Sequence, residues 1–501
     1  MSKPVNAVVT TQHGEVRGSV ADGVNTFKGI PYAAPPFGAN RFRPPQPVEP
    51  WSGVRGALTY GPTPPHLEFP ERYGYRTLLP DPIIPGEDCL NLNIWSPDLG
   101  SVGLPVMIWI PGGAFVHGSN AVSWYDSSHF ARDGVVCVTI NYRLGADGFL
   151  YLGDGIANLG LLDQIAALAW VQENIAAFGG DPNNVTIFGQ SAGGMSVATL
   201  LSMPRAEGLF RRAIAQSGAG HHVLSAMTAQ RVGQYLAEKL GVEATREAIA
   251  AVPIDRLLQG QEDLGNEIAL GAHPDWDELV VNRMPFEPVI DGEVLPARPI
   301  DRIRDGAGAG VDVMVGMNAE EFRFFMVPTG VIDLVTDKNL PAGLAAYGIP
   351  SEATLVATYR AARPNASAGD LLEAIITDWF YRIPAIRLAE AHAKSLSATY
   401  MYEFAWRSHS LQYSGRLGAC HALEIAFVFD NLDNKEFVPL LGTNPPQLVA
   451  DAMHAAWVAF ATRGDPGWPR YDLSRRATQR FDTTFVDDPR SAERALWEGR
   501  R

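Results

Sequence analysis

Gly189-Gln190-Ser191-Ala192-Gly193 is the one Gly-x-Ser-x-Gly in the chain. A serine between two glycines is a candidate nucleophile when it stands on a sharp turn from strand to helix. Such a turn lifts the hydroxyl clear of the sheet and aims the helix-start N–H groups at the atom under attack. The neighbours fit: Val185 to Phe188 reads as a strand, and Ala192 to Leu201 is compatible with a helix. The glycines have a steric reason, because side chains two positions before and two after Ser191 would collide in so tight a turn. A second segment, Trp109-Ile110-Pro111-Gly112-Gly113-Ala114-Phe115, closes an apolar run from Leu104 to Ile110. Small residues after a strand let backbone N–H groups approach a ligand, and a loop here can supply a second oxyanion donor. Pro-Gly-Gly is also a common turn, so this segment takes its meaning from Ser191. A nucleophilic serine needs a base and an orienting acid. The chain has 11 histidines, and spacing singles out none of them.

The elements that must position these residues read as an α/β protein. Leu104 to Ile110, Val135 to Tyr142, Asn184 to Phe188, Arg212 to Gln216, Val311 to Gly316 and Thr399 to Phe404 are short apolar runs suited to buried parallel strands. Leu161 to Phe178 has helical spacing and stops at Gly179-Gly180-Asp181-Pro182; Asp451 to Thr462 reads as a late amphipathic helix. The alternation predicts a doubly wound, mostly parallel sheet with helices on both faces. Residues from about 223 to 304 and from about 329 to 394 interrupt the strand pattern. They read as helical insertions over the end of the sheet where such folds place ligands. Prolines cluster at Pro35-Pro36, Pro44-Pro45 and from Pro62 to Pro85, which reads as N-terminal loops; no internal repeat occurs.

Composition narrows the function. In 501 residues, 46% are hydrophobic and 19% charged, which suits a large folded core. A net charge of −15 with no long Lys/Arg run argues against nucleic acid or an anionic membrane surface as partner. The start has no apolar signal core, and no apolar run reaches membrane-spanning length. Three widely spaced cysteines, Cys89, Cys137 and Cys420, do not form a disulfide framework, which points to a reduced, cytoplasmic setting.

Several separate blocks together resemble the type-B carboxylesterases, the α/β-hydrolase family that includes bacterial carboxylesterases and cholinesterases. They are Phe27 to Ala33, Asn40 to Pro45, Gly86 to Asn93, Asn141 to Gly145, Asn158 to Gln164 and Gly179 to Gly194. The resemblance runs from about Thr11 to Trp468 and implies one α/β-hydrolase unit across 1–501. It implies His421, in Gly418 to Ile425, as the base and Glu321, in Gly316 to Glu321, as the acid. Sequence physics alone does not choose Glu321 over Glu320. The resemblance further implies Gly113, Ala114 and Ala192 as oxyanion donors, and Phe324 and Phe325 as pocket walls, with Phe115 beside the oxyanion loop. Glu424 reads as a hydrogen-bonding partner behind the site. A metal reading of His421, Cys420 and Glu424 lacks any supporting ligand spacing. Arg41 with Glu87, and Arg143 with Asp163, resemble structural ion pairs of the family.

The chain departs from the family pattern at four places. Pro111 replaces the usual His or Tyr, Phe322 follows the acid where Gly is usual, and Cys89 has no earlier partner. Gln190 precedes the serine where cholinesterases carry Glu. The Pro62 to Pro85 segment contains no Trp to hold a quaternary ammonium, which argues against choline esters. The function implied is a serine esterase acting through an acyl-enzyme on small neutral esters, with no metal or organic cofactor. The alternatives are a carbamate or anilide hydrolase on the same triad, and a non-catalytic binding module. Nothing in the pattern specifies an oligomeric state.

Overall fold

The computed structural model describes residues 5–70, 74–271, 276–482 and 485–500. A sheet of thirteen strands carries the chain. Its strands are β1 (Val5–Thr11), β2 (Gly14–Ala21), β3 (Val24–Pro31), β4 (Val54–Gly56), β5 (Asn91–Ser96), β6 (Leu104–Ile110), β7 (Val136–Ile140), β8 (Gly180–Gln190) and β9 (Arg212–Gln216). A separate two-stranded pair, β10 (Leu224–Ser225) and β11 (Val289–Ile290), lies between β9 and the last four strands. Those four are β12 (Asp312–Asn318), β13 (Thr399–Phe404), β14 (Ala477–Phe481) and β15 (Val486–Asp487). The spatial order is β1-β2-β3-β5-β7-β6-β8-β9-β12-β13-β14-β15, with β4 beside β2. From β7 to β14 every pairing is parallel. Every residue of β7 and β9 is buried, as strands covered on both faces require. This is the mostly parallel sheet the strand pattern predicts.

Two differences from the sequence reading have physical causes. The antiparallel flank β1-β2-β3-β5 is absent from that reading, because Asn91 and Asn93 break the apolar pattern of β5. Both are buried and bonded: Asn93 Nδ2 donates to Thr139 Oγ1 at 2.9 Å, and Asn91 Nδ2 donates to the Pro62 carbonyl at 2.8 Å. β8 also starts at Gly180, inside the segment read as a stop. Gly179, at φ +89, ends the preceding helical turn, and the chain turns directly into the strand.

The strand ends and the helices behind them place the candidate chemistry. The helix Ala192–Ser202 follows β8 and packs on β8 and β9. β6 lies next to β8 and ends at Ile110, so the 111–118 loop opens beside Ser191. β12 ends at Asn318, just before Glu320 and Glu321. The 223–304 and 329–394 segments contribute the helices Ala226–Leu240, Ile254–Ala269, Ala353–Ala362, Ala368–Thr377 and Ile383–His392. The last of these packs on β12 and β13. Residues 71–73 of the proline-rich loop and 272–275 of the first of these segments lie outside the described residues.

Candidate active site

Ser191 sits at φ +58, ψ −124, between β8 and its helix. A non-glycine residue rarely adopts such a backbone and does so only where the surroundings force it. Here Ser191 N–H donates to the Gln216 carbonyl at 2.9 Å, and its own carbonyl accepts from Met195 N–H at 2.8 Å. The flanking glycines are required by contact. A Cβ on Gly189 would lie 2.6 Å from the Gly193 carbonyl carbon, and one on Gly193 would lie 2.0 Å from the Ile110 oxygen. Gly193→Ala is therefore expected to destabilise the fold by about 1–3 kcal/mol and to displace Ser191. Denaturant melts together with turnover assays check it; a variant as stable and as active as the parent would contradict the steric account.

Around Ser191, backbone donors stand open. Gly113 and Ala114, at φ +122 and +52, lie on the loop after β6, and their N–H groups find no acceptor among the described residues. Ala192 is the first residue of its helix, so its N–H has no intrahelical acceptor. Pro111, the departure in this loop, uses only its carbonyl, which accepts from Tyr142 Oη at 2.9 Å.

Glu321 and His421 meet behind the serine. His421 Nδ1 donates to Glu321 Oε2 at 2.6 Å, and the His421 N–H donates to the Glu321 carbonyl at 3.2 Å. Glu321 is fully buried and its second oxygen accepts from Asn318 N–H at 2.8 Å. With Nδ1–H committed to the carboxylate, Nε2 carries the lone pair. Its neighbour at rest is Gln190, whose Nε2 lies 3.2 Å away; Ser191 Oγ makes no hydrogen bond to the ring in this arrangement. The two adjacent glutamates are thus distinguished. Glu320 turns the other way: its carboxylate accepts from Ala419 N–H at 3.0 Å and from Arg323 Nε at 2.8 Å, and contacts Arg407.

Sequence reasoning missed the roles of three side chains around the imidazole and its acid. Asn318 Nδ2 donates to the Cys420 carbonyl at 2.7 Å and to Glu424 Oε2 at 2.6 Å, tying the acid segment to the histidine segment. Tyr381 packs against His421 with centroids 4.8 Å apart and the ring planes tilted by 36°, and Gln190 reaches it from β8. Tyr381 belongs to the 329–394 segment, so no local motif marks it.

A cavity of about 430 Å³ opens over Ser191, His421, Gly113 and Ala114. Phe324 and Phe325 line it, as do Phe322, Phe380 and Tyr381; Leu258 and Met284 from the 223–304 segment face it as well. Phe115, expected at its wall, is not there. The positive φ of 62 turns that ring into the core, fully buried and edge-on to Phe149 at 5.0 Å. The expected pair of Arg41 and Glu87 is also replaced. Arg41 binds Asp147 at 3.0 Å and the Ala250 and Val252 carbonyls, while Glu87 is exposed. Arg143 binds Asp163 with two bonds of 2.7 Å, as anticipated. Phe322 has an ordinary helical backbone, and its N–H donates to Thr377 Oγ1 at 3.1 Å.

Comparison with known proteins decides the family. The sequence profile described as the carboxylesterase family matches residues 5–488. The para-nitrobenzyl esterase of Bacillus subtilis (strain 168) is 38% identical over 502 residues, covering 97% of each chain. The chain belongs to the carboxylesterase family. The phenmedipham hydrolase of Pseudarthrobacter oxydans is 34% identical across 93% of this chain and 92% of its own. In fold, a Geobacillus stearothermophilus carboxylesterase matches with a TM-score of 0.84 and 38% identity, covering 98% of this chain and 99% of that one. This enzyme is a carboxylesterase: it hydrolyses carboxylic esters.

Behind the imidazole of this carboxylesterase lies a second carboxyl, Glu424. It is fully buried, and burial, with the charge of Glu321 adding, pushes its pKa from 4.5 up to about 7. Burial also pushes Glu373 up to about 7. A carboxyl whose folded pKa is raised gives stability that is complete below its unfolded pKa and is lost as pH rises through the folded one. The enzyme is therefore expected to lose stability between about pH 5 and 8. Glu424→Gln should remove about 3 kcal/mol of that loss, leaving the share due to Glu373. Thermal melts across this range check it; equal slopes in parent and variant would contradict the assignment.

Among the described residues, no helix is long and apolar enough to cross a membrane, and no cluster of three His, Cys, Asp or Glu side chains is arranged to hold a metal ion.

Proposed function

We propose that this carboxylesterase cleaves small neutral esters through an acyl-enzyme on Ser191, with His421 as base and Glu321 as the orienting acid. The observation that carries the reading is the 2.6 Å contact between Glu321 Oε2 and His421 Nδ1 beside the strained serine. With Nδ1 keeping its proton, Nε2, which faces Gln190 at rest, takes the serine proton as Oγ attacks the carbonyl carbon. The Gly113, Ala114 and Ala192 N–H groups receive the oxyanion, each worth about 3–4 kcal/mol where such a donor is removed from other enzymes. His421 then passes its proton to the leaving alcohol. Water, deprotonated by the same nitrogen, attacks the acyl carbon; the bond to Ser191 Oγ breaks, His421 returns the proton to Oγ, and the acid leaves. The chemistry as proposed calls on side chains and backbone alone.

The aromatic wall supports a neutral substrate, since such pockets bind by apolar area and few polar anchors. Hydrolysis of p-nitrophenyl acetate, butyrate and octanoate tests this, with the rate profile reading the acyl space. Faster turnover of a charged succinyl ester than of butyrate would contradict the neutral-substrate reading. A carbamate is the second reading, and its support is the relationship to the phenmedipham hydrolase. Matched p-nitrophenyl butyrate and p-nitrophenyl N-propylcarbamate separate the two by their deacylation rates. A cytoplasmic setting is also proposed, supported by three buried and unpaired cysteines, Cys89, Cys137 and Cys420. Fractionation of producing cells checks it.

A further inference from the structure

At the rim of the cavity, outside the triad, Asp81 stands between two histidines. His66 Nε2 lies 3.1 Å from Asp81 Oδ1, and His117 Nδ1 lies 3.4 Å from Asp81 Oδ2. His66 and Asp81 belong to the proline-rich loop. His117 ends the loop that carries Gly113 and Ala114. The His66 side chain is wholly buried and that of Asp81 is 7% exposed.

The surroundings of His66 favour its charged form. Its Nδ1 lies 2.7 Å from the Pro64 carbonyl, which can only accept, so Nδ1 carries a proton. Its Nε2 stands within ion-pair distance of the Asp81 carboxylate, so a proton on Nε2 would set a positive ring against a buried negative charge. Asp81 is thus the natural counter-charge of this ring. The titration directions agree. Burial works against the charge of both groups, yet the contact with Asp81 raises His66 above 6.5, and the contacts with His117 and then His66 lower Asp81 from 3.8 to about 2.

His117 is coupled directly to the backbone donors. Its N–H donates to the Gly113 carbonyl at 2.9 Å, and a Cβ on Gly113 would lie 2.2 Å from the His117 oxygen. Between them Ala114 and Phe115 stand at φ +52 and +62, two successive non-glycine residues in the left-handed region. A turn so strained holds its shape only if anchored on both sides. One anchor is the scaffold: Gly145 N–H donates to the Phe115 carbonyl at 2.7 Å, and Tyr142 holds Pro111. The other end is His117, stacked on Phe69 with centroids 4.1 Å apart and faced by Asp81.

We propose that Asp81 is a positioning residue for the oxyanion hole: by bridging the buried His66 ring to His117, it anchors the turn that presents the Gly113 and Ala114 N–H groups. This rests on the reading of those groups as oxyanion donors. It assigns to the proline-rich loop a role in transition-state binding, separate from any contact with substrate.

The test uses the full chain. Asp81→Asn keeps the size and removes the charge that holds both rings. Expected is a fall in kcat on p-nitrophenyl butyrate of about tenfold or more, with KM within about twofold of the parent. Binding of an alkyl trifluoromethyl ketone, whose serine adduct places an oxyanion in the hole, should weaken by the same factor as kcat. His117→Phe keeps the stacking on Phe69 and leaves the His66–Asp81 pair whole; it should show the same paired losses. It carries the comparison if Asp81→Asn fails to fold. The double variant should lose little more than either single one. Unchanged ketone affinity in folded variants, whether or not kcat falls, would overturn the proposal. The parent's turnover and its loss in Ser191→Ala stand apart from this outcome, so a failure of the esterase mechanism is recognised separately.

Discussion

Ser191→Ala is expected to lower kcat on p-nitrophenyl butyrate by about 10⁴–10⁶-fold while leaving the fold and KM nearly as they are. The size follows from the route. Without Oγ no acyl-enzyme forms, and water must attack directly, helped only by the backbone donors and by binding. Alanine fits the position, because Ser191 Oγ makes no hydrogen bond to His421 at rest and the turn is held by main-chain bonds to Gln216 and Met195. Melting temperature should therefore hardly move. Turnover within tenfold of the parent would remove the serine from the mechanism.

Glu321→Gln carries the second large effect, a loss of about 10⁴-fold in kcat. A carboxamide can turn its NH₂ toward Nδ1, which then becomes the acceptor and puts the ring proton on Nε2, where it blocks the base. It also cannot stabilise the imidazolium that forms during attack. Glu320→Gln is the control next door. Its carboxylate holds Ala419, Arg323 and Arg407 and does not touch the ring, so the loss should stay within about tenfold. Steady-state rates of the two single variants check the ordering. Equal losses, or a larger one at Glu320, would reverse the assignment of the acid.

How much of this is legible in the sequence depends on whether a constraint is local. The turn at Ser191 is, because a strand, two glycines and a helix start must follow one another for the hydroxyl to stand free, and Gly189 and Gly193 are where a Cβ would collide. The parallel strands are legible too, since burial on both faces demands continuous apolar runs. His421 is not: nothing near it in the chain marks it among 11 histidines, and only the resemblance to a family points there. Glu320 and Glu321 are alike as letters. The backbone at the end of β12 sends one toward Arg323 and the other toward His421.

The failures have the same origin. Phe115 looks like a pocket residue because it adjoins the oxyanion loop, but its positive φ turns the ring into the core. β5 hides behind Asn91 and Asn93, whose partners lie on other segments. The His66–Asp81–His117 bridge joins two loops and carries no spacing at all.

In the proposed route the acyl group rests on Ser191 during turnover. Quenching the enzyme in acid while it turns over p-nitrophenyl butyrate, then mapping the digested protein by mass spectrometry, reads where that group sits. One butyryl group is expected on the peptide containing Ser191, absent from unreacted enzyme and from Ser191→Ala. A butyryl group on another residue, or full turnover by Ser191→Ala, would contradict it.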